Sequence, residues 1–323
     1  DYGNTGIHRL SMLGSMLING RTGEYSQPRA EKMRYDGVTM AKKIAYVVNQ
    51  PSFFVSHRLT LGCRAQAAGY DIVVISPDGP GVDAIRAAGF AWRRLPLDPS
   101  GLNPLRELGT ILALYQLFRS ERPDIVHNVT VKPVLYGTFA ARMAGVARVV
   151  NAVSGLGYLF TAGRNHGARL GVVLYRMLMR HPHMQVILQN KEDFAFFAAW
   201  NLAPLSQLHL IRGSGVDVEK FMPVANMVSP PVIVQTSRMV GDKGVREFIA
   251  AARLVRRQYP QARFHLVGGP YPGNPSAISE AELRAAESDG IVTWHGHQQD
   301  VLPFLRQATI YCLPSYREGL PKA

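Results

Sequence analysis

Thr309-Ile310-Tyr311-Cys312-Leu313-Pro314-Ser315-Tyr316-Arg317-Glu318-Gly319-Leu320-Pro321-Lys322, near the end of the chain, governs how everything before it is read. The apolar run 309–313 predicts a buried parallel strand, and Glu318-Gly319-Leu320-Pro321 a loop at its carboxyl end. In an open α/β sheet that end faces the ligand crevice, and glycine allows backbone N–H groups to approach a ligand closely. Glu318 is the one carboxylate in this loop. It is therefore a candidate ligand contact, with Gly319 and Leu320 beside it.

Upstream, short apolar runs alternate with helix-spaced stretches. Strands are expected at 43–49, 71–76, 91–96, 124–127, 147–153, 184–189 and 207–211, with helices notably at 104–120 and 134–144. Residues 221–231, with Pro223, Pro230 and Pro231, form a candidate hinge. The alternation then restarts with strands at 231–237, 262–267, 291–294 and 309–313 and helices at 245–258, 280–288 and 301–307. This is an α/β chain of parallel, doubly wound sheets. Residues 1–39 lack sustained period and are expected to be a non-native or disordered extension, with room for a short helix at 7–18. Domain one is expected at 40–222 and domain two at 223–323.

A second polar cluster, Ser237-Arg238-Met239-Val240-Gly241-Asp242-Lys243-Gly244, joins the first strand of domain two to the next helix. A helix start presents free N–H groups and positive dipole to an anion. Arg238 offers a fork and Lys243 a point charge to a diphosphate. Net charge is +13, of which residues 40–222 carry +9, a field suited to an anionic partner. The charges are dispersed rather than striped with aromatics, which argues against a nucleic-acid binder. No apolar run approaches the roughly 20 residues of a membrane span, and no signal-peptide pattern opens the chain. Cys63 and Cys312 are read as reduced, buried thiols of a cytoplasmic protein.

Arg238-x4-Lys243 followed about 75 residues later by Glu318-Gly-Leu-Pro resembles retaining glycosyltransferases of the GT-B fold, family 4. The resemblance implies two Rossmann-like domains facing across a cleft. The family's Glu-x7-Glu signature would place a second glutamate at position 326, beyond Ala323, so the chain is expected to be C-terminally truncated, its second domain incomplete. Arg238 and Lys243 would hold the donor diphosphate and offset leaving-group charge, with no metal or other cofactor, and no Asp-x-Asp metal motif occurs. Glu318 would accept hydrogen bonds from the donor sugar. Gly268-Gly269 and His295-Gly296 match short turns beside the nucleotide, where a turn without ligand is the other reading. Gly213-Ser214-Gly215-Val216-Asp217 resembles the family's Gly-Val-Asp turn before the linker, most simply a structural turn.

Three stretches resemble the bacterial polysaccharide and lipid-linked saccharide subgroup: Ser56-His57-Arg58, His127-x4-Lys132-Pro133 and Gly155-Leu156-Gly157-Tyr158. They imply acceptor contacts at His57, His127, Lys132, Gly155, Gly157 and Tyr158, although a strand-terminal His127 could merely cap a turn. Phe53 and Phe54 are either core or acceptor contacts. Ser154 stands where many members have histidine, which puts histidine-assisted catalysis there in doubt. Residues 170–180, with Arg169, Arg176 and Arg180 at helical spacing, read either as a membrane-surface helix or as a sheet-covering helix with a solvated edge. The implied activity moves a sugar from a nucleoside diphosphate donor, with UDP expected, to a saccharide acceptor linked to polyprenyl diphosphate, on the cytoplasmic membrane face. The alternatives are a catalytically inactive fragment and a GT-B sugar-nucleotide epimerase, a family without the paired motifs.

Overall fold

The computed structural model describes residues 42–99, 101, 103–153, 175–179, 181–223, 229–272, 274–316, 318 and 321, all within the compact unit Ala41–Ala323. The expectations for 1–39, Gly155, Gly157, Tyr158, Gly319 and Leu320 lie outside them.

Seven strands form one all-parallel sheet: β1 (Lys43–Val47), β2 (Asp71–Ser76), β3 (Ala91–Arg94), β4 (Ile125–Val129), β5 (Arg148–Val153), β6 (Met184–Leu188) and β7 (Leu208–Leu210). Their order is β3-β2-β1-β4-β5-β6-β7. Central strands are apolar on both faces, as a sheet covered twice requires. Alternate residues of β1 go to opposite sides. Tyr46 packs with Phe54 of α1 (Pro51–His57) and Ile85 of α3 (Val82–Ala87), next to Leu59 of α2 (Leu59–Ala67). Ala45 and Val47 join Leu114 and Phe118 of α4 (Pro104–Glu121), Ala140 of α5 (Val131–Ala144) and Phe197 of α6 (Lys191–Ala199).

Local chemistry fixes the helix positions. Asn103 Oδ1 accepts from Leu105 N at 3.0 Å, and Pro104 opens α4, the usual arrangement for a helix start. On α5, a Cβ at Gly137 would overlap the Asn128 carboxamide of β4, so glycine sets how closely helix and sheet approach.

The second sheet, also all parallel, has the order β10-β9-β8-β11. It comprises β8 (Val232–Thr236), β9 (Arg263–Val267), β10 (Thr293–Trp294) and β11 (Ile310–Tyr311), with helices α7 (Val245–Gln258), α8 (Glu280–Ser288) and α9 (Leu302–Gln307). Val245, Phe248, Ile249 and Ala252 form the buried stripe of α7. Each large side chain in such a stripe contributes about 1.5–3 kcal/mol when taken out of water.

The structure corrects three expectations. Strand β11 is not buried: it is the edge strand among the described residues, and Ile310 is 53% exposed because one neighbour alone covers it. Strand β4 continues to Val129, so His127 is not strand-terminal but lies within a ladder opposite Tyr46. Cys63, on the outer side of α2, is exposed rather than buried. Among the described residues no helix is long and apolar enough to cross a membrane.

Candidate functional site

Both sheets reverse their winding beside their first strand in the chain, between β1 and β4 in one and β8 and β11 in the other. At such reversals adjacent loops part and open a crevice at the carboxyl ends of the strands.

At the second reversal the loop after β8 meets the loop after β11. Gly244 makes this possible. Its φ is 68°, and a Cβ would overlap the carbonyl of Pro314. The loops are then joined by Asp242 O, which accepts from Tyr316 N at 3.1 Å and Ser315 Oγ at 3.0 Å. Tyr316 Oη donates to Glu247 Oε1 at 2.6 Å, a bond that holds the Glu247 carboxyl below and the Tyr316 phenol above their ordinary ranges. Lys243 Nζ pairs directly with Glu318 Oε1, which also accepts from Ser315 Oγ at 2.8 Å. The sequence assigned these two residues different parts of one donor, and the fold brings them into contact.

Arg238 is exposed on the same loop, its guanidinium 4.6 Å from the Tyr271 ring centroid. Gln235, fully buried in β8, donates to Lys243 O at 2.8 Å and Ser237 Oγ at 3.2 Å. Sequence reading passed over Gln235. Its only signal was a polar residue inside an otherwise apolar strand, which in a buried sheet calls for a purpose.

The glycine turns are largely occupied by the fold itself. Gly268, with φ 149°, donates to Gly296 O at 2.8 Å and accepts from Trp294 Nε1 at 2.8 Å, and a Cβ there would overlap Ser237 O. Gly269 O accepts from Met239 N at 3.0 Å. His295 donates its backbone N–H to Leu266 O at 2.9 Å and accepts from Gln298 at 2.7 Å. Its ring stacks on His265, with Nε2 2.7 Å from the partner's Nδ1. Burial lowers both imidazoles below their ordinary pKa, which suits a neutral pair sharing one N–H.

The acceptor-side residues fall into two groups. His57 ends α1 with its ring stacked on Phe53, centroids 4.2 Å apart, and Nδ1 2.7 Å from Ser56 Oγ. Phe54 beside it is wholly core. His127 stacks on Tyr46 at 5.1 Å, and burial, followed by the charge of Arg58, pushes its pKa down to about 3. Lys132 lies elsewhere: its ammonium donates to Asp98 O at 2.7 Å, Glu107 Oε1 at 2.7 Å and Gly101 O. All three of its donors are thereby used. It braces the wall of a cavity of about 910 Å³ lined by Asp78, Arg94, Asp98, Asn103, Arg106 and Glu107, among others.

Residues 43–190 match the family model "Glycosyl transferase 4-like", and residues 230–323 match "Glycosyl transferases group 1". The chain is 25% identical, over 78% of its own length and 68% of the relative's, to the N,N'-diacetylbacillosaminyl-diphospho-undecaprenol alpha-1,3-N-acetylgalactosaminyltransferase of Campylobacter jejuni. It is 24% identical, over 68% of its own length and 59% of the relative's, to the UDP-Gal:alpha-D-GlcNAc-diphosphoundecaprenol alpha-1,3-galactosyltransferase of Escherichia coli. It thus spans about three fifths to two thirds of these relatives. Among solved structures, Anabaena HepE in complex with UDP and glucose superimposes with a TM-score of 0.64 at 16% identity, over 86% of this chain and 75% of that one. At that identity the likeness speaks for the fold alone. Two consecutive family models, the relatives and the shared architecture place the chain among the glycosyltransferases of GT-B fold, with a glycosyl transferase 4-like domain followed by a group 1 domain.

Proposed function

We propose that this protein transfers a sugar, with retention, from a UDP-sugar to a hydroxyl of a saccharide linked to polyprenyl diphosphate. The observation that carries this reading is the joined pair of loops at the second reversal, where Lys243 pairs with Glu318 and Arg238 stands on the same loop as Lys243. Both named relatives act on diphosphate-linked undecaprenol acceptors by their names, which supports the acceptor class.

In the reaction the acceptor oxygen bonds to the anomeric carbon as that carbon's bond to the diphosphate oxygen breaks. The electron pair leaves with the diphosphate, which takes up the acceptor's proton. Arg238 and Lys243 stabilise the charge that develops there, in place of a metal; preorganised charges of this kind commonly contribute more to catalysis than any other effect. Glu318 orients the donor sugar through its hydroxyls. In the ligand-free protein Glu318 holds Lys243, so donor binding exchanges a carboxylate for a diphosphate at the ammonium. The proposed place of work is the cytoplasmic membrane face. Of the basic stretch 170–180 expected to touch lipid, the described part ties Arg176 Nη2 to Trp200 O at 2.6 Å and buries Tyr175 and Met179.

The test is transfer of radiolabelled sugar from a panel of UDP-sugars to a short-chain prenyl-diphosphate saccharide by the full-length protein. Product with the donor's anomeric configuration is expected. Hydrolysis or epimerisation of the donor without any acceptor product would overturn the reading.

A further inference from the structure

The carboxyl ends of β1 and β4 define the reversal of the first sheet, and the polar atoms there are left without partners. Asn49 Oδ1, Arg58 Nε, His127 Nε2 and Thr130 Oγ1 are all buried with no hydrogen-bond partner. Asn49 follows β1, His127 lies within β4, Thr130 directly follows β4, and Arg58 lies at the junction of α1 and α2. Buried polar atoms are nearly always satisfied, so several orphans at one crevice ask for a missing partner.

Arg58 is the most informative of them. It is 6% exposed, yet among the described residues no carboxylate comes within ion-pair distance. Its Nη1 donates to the carbonyl of its neighbour His57 at 2.9 Å. A guanidinium cannot shed its proton to escape burial, and a buried cation is normally paired. Its charge reaches both members of the stacked Tyr46–His127 pair: it partly opposes the burial that raises the Tyr46 phenol to about 12, and adds to the burial that lowers the His127 imidazole. Residues 154–174, which follow the adjacent β5, contain no Asp or Glu in the sequence. Thr130 adds a second kind of evidence: a β-branched residue held at φ 76°, the kind of backbone strain that concentrates at ligand sites.

We infer that Arg58, His127 and Thr130 form a phosphate-binding subsite at the first sheet's reversal that takes the diphosphate of the acceptor. Arg58 supplies the charge and the Nε–H. Neutral His127 donates from Nε2, and Thr130 donates its hydroxyl. Asn49 Oδ1, an acceptor, takes a hydroxyl from the adjoining sugar. The assignment of this anion to the acceptor rests on the proposed reaction, since the donor diphosphate already has Arg238 and Lys243 on the other sheet.

Two measurements on the full-length protein test it. The first compares kcat/KM for a saccharide on a short prenyl diphosphate with the same saccharide on an alkyl ether. The wild type is expected to favour the diphosphate, and Arg58→Gln to lower that preference about 10- to 100-fold, the range for losing a hydrogen-bonded charge. Arg58→Lys should keep part of the preference, and Thr130→Val should lower it several-fold. Equal losses on both acceptors, or a wild type without preference, would overturn the inference. A selective rise in donor KM would do the same by reassigning the subsite to the donor. The second measurement is calorimetric binding of inorganic pyrophosphate, which does not depend on catalysis. Binding weakened by Arg58→Gln but retained in Arg238→Ala supports the subsite even if no transfer is found, whereas binding unchanged by Arg58→Gln refutes it. Should Arg58→Gln fail to fold, Arg58→Lys and Thr130→Val carry both arms, and unchanged preference and pyrophosphate affinity in both would count against the subsite.

Discussion

At the reversal of the second sheet the loop groups satisfy one another, with Gln235 Oε1 alone among the named side chains left without a partner, whereas at the first sheet four side chains each keep an unpaired buried atom. Lys243 has Glu318, Asp242 O has Ser315 and Tyr316, and Tyr316 has Glu247. Arg58, His127, Thr130 and Asn49 each keep a buried atom without a partner. The first arrangement suits a ligand that must displace an internal ion pair, so part of its binding energy is offset by breaking Lys243–Glu318. The second suits a ligand that supplies the counter-charge which Arg58 lacks among the described residues. The reversals of the two sheets thus differ in whether their charged side chains already have a charged partner.

The largest expected effect comes from removing the cations of the self-satisfied site. Arg238→Ala with Lys243→Ala should lower kcat by at least about a thousandfold, since single donors at such sites are worth about a hundred- to a thousandfold. Thermal unfolding should shift modestly: Arg238 is exposed, and the cost comes from the partly buried Lys243–Glu318 pair, which leaves Glu318 with Ser315 as its partner. UDP affinity unchanged in the double variant would show that the joined loops are not the diphosphate site. Glu318→Gln should be milder, about a hundredfold in kcat, because it keeps shape and loses one charge-assisted contact. UDP affinity should hold or rise slightly as Lys243 loses its internal competitor. Weaker UDP binding would move Glu318 from sugar to nucleotide.

Most of the second site was legible in the sequence because its parts are local. Arg238 and Lys243 share one turn, Glu318 stands in a short Gly-Pro loop, and each follows an apolar run that could only be a strand. What the sequence could not carry was their mutual contact, which depends on Gly244 passing Pro314 some seventy residues away in the chain. The first site was half legible. His127 was picked out by its motif, but as a strand-end residue, because two further residues of β4 are polar or branched in a way that also fits a turn. Arg58 was quoted only as a neighbour of His57. Nothing in Ser-His-Arg says that the arginine is inside and the histidine partly outside, because a helical kink at Arg58 decides it (φ −131°, ψ −13°). Lys132 was read for its charge, yet its three acceptors are two backbone carbonyls and Glu107, partners that a sequence pattern does not display.

Gly244→Ala sharpens the comparison from the structural side. A left-handed φ together with overlap on Pro314 O should cost about 2–4 kcal/mol in stability, the range for strained backbone plus local repacking. In a chain of 323 residues that unfolds as one unit, this corresponds to a fall of roughly 3–6 °C in Tm. Activity should fall further than stability explains, since the Lys243–Glu318 contact depends on this approach. Differential scanning calorimetry and transfer assays below the transition separate the two. A variant as active as wild type would mean that the joining of the loops is incidental to catalysis.

The smallest effect tests whether the first site is dry. The His127 imidazole, ordinarily near 6.5, has its pKa pushed down to about 3 by burial and then by the Arg58 charge. The unfolded chain therefore binds a proton below about pH 6.5 that the folded chain refuses until about pH 3. Because the unfolded state holds more protons in that window, stability is complete above pH 6.5 and declines as pH falls through it. Each pH unit is worth at most about 1.4 kcal/mol for one proton. His181, His265 and His295 are also depressed by burial, so the whole-protein slope contains them as well. The difference between wild type and His127→Gln isolates the one residue: urea unfolding at pH 7 and pH 5 should show wild type losing about 1–2 kcal/mol more than the variant. Parallel losses would mean that His127 titrates as a solvated histidine. Water would then already satisfy the orphaned atoms, and the contrast between the two reversals would disappear.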